Sequence, residues 1–125
     1  MGKKRIRTQS AKAKGRRLQQ WVCQEISELL AIPWGKDELI ASREGAQSGT
    51  DIRLLGKTKR LFPFSVECKA EEAWAVAAWI EQAKKNQKKR TDWLLVVKKR
   101  RSEPVVIMDA KQFFELLKQW DYSKL

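Results

Sequence analysis

The chain has 125 residues, with 27 Lys plus Arg against 15 Asp plus Glu, a formal charge of +12 and no histidine. That length suits one domain burying roughly two-thirds of the surface its unfolded chain exposes; the basic excess is the footprint of a phosphate-backbone binder, and the missing histidine removes the commonest general base and most zinc sites. Cys23 and Cys68 lie far apart without metal-ligand spacing, and no apolar run reaches the length of a membrane span or signal peptide, which reads as a reduced, cytoplasmic protein off the membrane.

Residues 1–14 are basic and lack an apolar pattern, so a flexible basic arm is expected, followed by a single domain over 15–125. Between Lys3 and Arg17 there are eight basic residues and no acidic one, enough to wrap a duplex by counterion release. Leu18, Trp21, Val22, Ile26, Leu29 and Leu30 recur at helical spacing and predict a helix over 15–32, closed by Pro33-Trp34-Gly35. Residues 36–50 are expected to be irregular or to open with a short helix at 37–40, and 43–49 is a polar, glycine-bearing loop. A strand is expected at 51–55, a charged turn at 56–60, and a central strand at 62–70 whose pairing begins after Pro63.

The stretch 71–89 predicts a long helix burying Ala73, Val76, Ala77, Ile80 and Ala83, widened by Trp74 and Trp79. Two further strands follow at 93–97 and 105–108, joined by the basic turn 98–101. Asp109 is placed to cap a last helix over 110–120, with Phe113, Phe114, Leu116 and Leu117 inward. The order is that of a mixed α/β sandwich.

Chemistry concentrates in Ser48-Gly49-Thr50-Asp51-Ile52 and Val66-Glu67-Cys68-Lys69. Alternate side chains of a strand share a face, so Glu67 and Lys69 project together while Val66 and Cys68 face the other way. If the strand opening at Asp51 pairs with this one, two carboxylates and an ammonium converge. A phosphodiester resists hydrolysis because its charge repels nucleophiles and its leaving alkoxide is poor; a divalent ion addresses both. Mg²⁺ takes oxygen ligands, which Asp51, Glu67 and the backbone carbonyl of Cys68 can supply, and Lys69 can orient or deprotonate water or stabilise developing charge. The bland alternative is a structural Glu67–Lys69 ion pair on a strand face.

These segments resemble the PD-(D/E)XK nuclease superfamily, and within it the Holliday junction resolvase-like, phage-type endonucleases. The matching pieces are Lys14-Gly15-Arg16-Arg17-Leu18-Gln19, Ser48 to Ile52, Phe62 to Lys69, and Gln82. The resemblance implies a restriction-endonuclease-like αβββαβ core, a central mixed sheet flanked by helices. It also implies Mg²⁺ (or Mn²⁺) dependence, 5′-phosphate and 3′-hydroxyl ends, and a homodimer acting on branched or duplex DNA in phage DNA processing or recombination, with no small-molecule cofactor. Gln82 would then touch the attacking water or a phosphate. Gln19 stands where archaeal-type resolvases carry a glutamate, with Glu25 a substitute on the same helix, and Thr50 stands where the motif has proline.

Beyond this core, Lys14, Arg16 and Arg17, and the tract Lys84, Lys85, Lys88, Lys89 and Arg90, are candidate phosphate contacts. The second tract exceeds what a helix C-terminus needs for its dipole. Trp34 and Trp120 are the candidates for base stacking or dimer contact, Ser48 for the turn, and Glu44 for a solvated loop acid. The alternatives to a nuclease are a non-catalytic basic nucleic-acid-binding protein and a ribosome-associated one.

Overall fold

The first helix is built on the stripe Leu18, Val22, Cys23 and Ile26, four residues spaced to one side and all buried. In the computed structural model, which describes residues 2–43, 49–120 and 123 (2–9 as backbone), this helix, α1, runs Gly2–Leu30. The arm expected over 1–14 is therefore helical from Gly2 onward. Its Ala, Lys, Arg and Gln residues are good helix formers, and Gly15 costs only about 1 kcal/mol in an exposed helix interior, so the packed half propagates backward. Trp21 and Leu29 flank the buried stripe and are exposed. The helix stops in a Schellman turn: Ala31 adopts φ 55, and the amide of Ile32 donates to the Ser27 carbonyl at 3.2 Å, one residue before Pro33.

Strand β1 (Ile40–Ser42) falls where an irregular or helical segment was expected. Ile40 and Ala41 are buried against α1, and three residues are too few to show a period. It pairs antiparallel with β2 (Ile52–Leu54), Ser42 opposite Ile52. The expected charged turn is a short helix, α2 (Lys57–Leu61), entered through Gly56 at φ 57, a left-handed conformation that glycine tolerates. Strand β3 (Phe64–Lys69) begins after Pro63 as expected. It pairs parallel with β4 (Asp92–Val97), and β4 pairs antiparallel with β5 (Val105–Met108). The middle strand of this sheet is β4, not β3. The β1–β2 hairpin meets β3 where the Asp51 amide donates to the Val66 carbonyl at 3.0 Å.

Helix α3 (Val76–Lys85) is shorter than 71–89. Residues 71–75 are drawn off before it, with Glu72 accepting from the Arg100 amide at 2.7 Å, so Ala73 and Trp74 are exposed; Ala77, within the helix, is exposed as well. Of the expected stripe, Trp79 and Ala83 are buried and Val76 and Ile80 half-buried. The core lies in two layers. Val66 and Val96 pack under α1 with Ile40, Ile52 and Leu54, while Leu95, Val97 and Trp93 pack under α3. The chain order α1-β1-β2-β3-α3-β4 reproduces the αβββαβ core, with α2 inserted and β5 and α4 (Ala110–Leu117) appended.

Asp109 caps α4 as expected, accepting from the Lys111 and Gln112 amides. The inward face expected for this helix is not buried: Phe113, Phe114 and Leu116 are exposed and Leu117 half-buried. Among the described residues nothing covers this face of α4, which follows a strand at the sheet margin. No described helix is long and apolar enough to cross a membrane.

Candidate active site

Strand β3 sorts its side chains by period. Val66 and Cys68 join the layer under α1, while Ser65 and Glu67 face the α3 side, where Asn86 at the C-terminus of α3 donates to Glu67 Oε1 at 3.0 Å and Ser65 Oγ meets Thr91 Oγ1 at 2.6 Å. Lys69 shares the face of Glu67 by the same alternation. It is half-buried, and among the described residues no hydrogen bond or ion pair engages its ammonium. The structural Glu67–Lys69 ion pair weighed from sequence is not formed.

Asp51 precedes β2 and is 7% exposed; Glu67 is 1% exposed. Asp51 Oδ1 takes a 2.8 Å salt bridge from Arg43, whose other guanidinium nitrogen donates to the Gly49 carbonyl at 2.8 Å. Asp51 Oδ2 accepts from the Cys68 amide at 2.8 Å. A strand residue points its N–H and C=O to the same side, and the odd-numbered carbonyls of Pro63 and Lys69 are taken from the β4 side by Asp92 and Lys98. The Cys68 carbonyl is thereby turned toward Asp51. Two carboxyl groups and one backbone carbonyl are gathered at the end of β3.

The two carboxylates oppose one another. Burial pushes the Glu67 carboxyl up from 4.5 to about 7, with the Asp51 charge and a hydrogen bond to Asp51 adding to it; the Asn86 amide and the Arg43 charge act the other way. The Cys23 thiol is pushed up to about 12 by burial. Burial raises the Cys68 thiol well above its usual range, with Asp51, Cys23 and Glu67 contributing. Both thiols stay protonated at neutral pH, so neither is a thiolate donor. The donors on offer are hard oxygens. Among the described residues, no third His, Cys, Asp or Glu side chain completes a cluster with them.

Arg43 and Asn86 were not singled out from the sequence. Arg43 sits eight positions before Asp51 in a polar segment, where its only signal was a cation on the loop leading to the motif. Asn86 lies one turn beyond Gln82, its amide bonded to the Gln82 carbonyl at 3.0 Å. Gln82 itself is exposed, and it is Asn86, capping the end of this helix, that reaches the Glu67 carboxyl. Gln19 is half-buried one turn before Cys23, with no hydrogen bond tying it to Asp51 or Glu67 among the described residues, and Glu25 is exposed. Glu44 and Ser48 lie outside the described residues.

The basic tracts assemble around the two ends of β3. At its start, Lys88, Lys89 and Arg90 join Lys59 and Arg60 of α2 in a groove of about 570 Å³ floored by Phe62 and Phe64; Thr50, next to Asp51, is in its wall. Lys84 and Lys85 are exposed at the end of α3. Lys14 and Arg17 line a second cavity at the far end of β3, while Arg16 is exposed on α1. Trp34 is half-buried, its indole donating to Gln24 at 2.6 Å, and Trp120 is exposed.

Residues 10–124 match a family model described as "Phage putative PDDEXK endonuclease". No curated protein and no solved structure matches the chain. A match over nearly the full length settles membership: the chain belongs to this family of phage PD-(D/E)XK endonucleases.

Proposed function

From that membership as premise, we propose that the protein is a Mg²⁺-dependent (or Mn²⁺-dependent) endodeoxyribonuclease that hydrolyses phosphodiester bonds at the end of β3. The observation that carries this reading is the buried Asp51–Glu67 carboxyl pair, with the Cys68 carbonyl turned to the same side. A buried carboxylate pair costs several kcal/mol unless a cation lies between, and an all-oxygen donor set suits a hard divalent ion. Asp51, Glu67 and the Cys68 carbonyl would hold that ion, which on binding neutralises phosphate charge and acidifies water.

The protein's own groups do the rest. Asn86 fixes the Glu67 carboxyl, and Arg43 with the Cys68 amide fixes the Asp51 carboxyl, so both acids are positioned before substrate arrives. Lys69, carrying no ion pair among the described residues and on the Glu67 face, donates to a phosphate oxygen or to the attacking water, stabilising charge as it develops. The groove at the start of β3 grips the backbone beside the scissile phosphate through its cations, without base reading, which suits recognition by shape. Branched or junction DNA within the bacterial host is the substrate this reading favours. The exposed apolar side chains of α4 support a homodimer.

The test incubates labelled four-way junction, flap, nicked, single-stranded and duplex DNA with the protein in Mg²⁺ and in EDTA. Wild type is expected to cut in Mg²⁺ only. Asp51→Asn and Lys69→Ala are expected to cut at least about 100-fold more slowly while binding DNA normally. Wild type leaving every DNA form intact with Mg²⁺ and with Mn²⁺ would reduce the protein to a binder.

A further inference from the structure

The turn between β4 and β5 stands over the middle of α1, and the space between them is concave. Its volume is about 430 Å³, within the range of roughly 300–1,000 Å³ typical of pockets that take one small ligand. A single nucleotide fits such a space and a duplex does not. Its walls are tied in place: Glu72 accepts from the Arg100 amide at 2.7 Å, the Lys98 amide donates to the Lys69 carbonyl at 2.9 Å, and the Ser102 amide donates to the Lys99 carbonyl at 3.1 Å.

The lining mixes two chemistries. Lys14 and Arg17 from α1 face Lys98 to Arg101 across it, an arrangement for phosphate. Between them lie Trp21, 44% exposed although it belongs to a helix packed on the core, with Leu18 and Pro104. A grip on duplex phosphates needs cations alone, whereas an indole beside cations is how proteins hold an unstacked base. Lys99 also lies 5.7 Å from the ring of exposed Trp74, extending the aromatic rim. Glu103 lines the same cavity; a carboxylate repels phosphate but accepts from the exocyclic amino group of a base. Ala70, in the wall, directly follows Lys69, so the cavity opens at the end of β3, on the α1 face of that strand.

We infer that this cavity binds one unpaired nucleotide of a DNA strand leaving a duplex, its base on Trp21 and its phosphate among Arg17, Lys98 and Arg101. The inference rests on the DNA-cleaving reading and names the substrate feature that reading leaves open: an unpaired strand beside the scissile phosphate. Arg101 holds φ 63, a backbone conformation that glycine adopts without strain. Arg101→Gly therefore keeps the turn while removing the guanidinium.

The experiment measures anisotropy of labelled DNA in EDTA, so that binding is read without cleavage. A plain duplex is compared with the same duplex carrying a single-stranded branch, using wild type, Trp21→Ala and Arg101→Gly. Wild type is expected to favour the branched form by about tenfold, the worth of one base–aromatic stack. Both variants are expected to lose that preference while holding duplex DNA within about threefold. Equal binding of the two DNAs by wild type, or variants that weaken both forms alike, overturns the inference and leaves the nuclease reading standing. Binding of neither DNA overturns both.

Discussion

Replacing Glu67 by Gln should make the metal-free protein more stable above neutral pH, because the buried carboxyl is a liability when charged. The folded-state value of about 7 stands above the 4.5 of an unperturbed glutamate. Below about 4.5 the group is protonated in folded and unfolded chains alike and costs nothing. As pH rises the unfolded chain ionises first, so stability is lost progressively until pH passes about 7 and then levels off. A shift of this size corresponds to about 3 kcal/mol in full, of which about 2 kcal/mol falls between roughly pH 5.5 and pH 8. The glutamine can still accept from Asn86 and can donate to Asp51, so it keeps the local bonds. Urea unfolding in EDTA at the two pH values should show wild type losing about 2 kcal/mol more than Glu67→Gln. Parallel pH profiles for the two proteins would refute the reasoning. Mg²⁺ at the higher pH should then restore wild type, by about 3 kcal/mol at a hundredfold excess over its dissociation constant, and leave the variant unmoved.

Asn86→Ala removes the one side-chain hydrogen bond that draws Glu67 back toward ionisation, so the acid limb of the cleavage pH–rate profile should move to higher pH, while stability falls by about 1 kcal/mol. An unmoved limb would show that Asn86 only packs. Lys88→Ala and Arg90→Ala strip cations from the groove at the start of β3; each should weaken binding of all DNA sequences equally and lower the slope of log affinity against log salt by about 1. Phe114, 62% exposed on α4, should tolerate Phe114→Ser within about 0.5 kcal/mol of monomer stability, while sedimentation shifts from two copies to one; a wild type that sediments as a monomer at high concentration would dispose of the dimer.

What could be read in advance follows from which rules are local. Glu67 and Lys69 were placed on one face by strand alternation alone, and Asp109 was identified as a cap by its residue type before an amphipathic run; both hold in the structure because neither depends on distant contacts. The residues that escaped are those whose role is made by tertiary contact. Arg43 reaches Asp51 from across the β1–β2 hairpin, and Asn86 reaches Glu67 over 19 positions of chain. β1 escaped because Ile40, Ala41 and Ser42 are too short a run to display a period. The error over α4 has a different origin. Phe113, Phe114 and Leu116 declare that one face avoids water, but the pattern carries no information on what covers it, and among the described residues nothing does.

The residues that specify the fold differ in kind from those that weaken it. Val66, Leu95 and Val97 satisfy strand period, burial and packing together, so each local preference agrees with the whole. Glu67 satisfies only the period: its neighbours in β3 and β4 are apolar, it is as buried as they are, and its one hydrogen-bond donor arrives from α3. Asp51 is held by an arginine and an amide that leave each carboxylate oxygen a further lone pair. A chain selected only for stability would replace this pair with valine and leucine and gain from it. Two acids at the end of a buried strand, with a lysine that no ion pair engages among the described residues and cationic groups at both ends, are the arrangement that the proposed cation and phosphodiester would occupy.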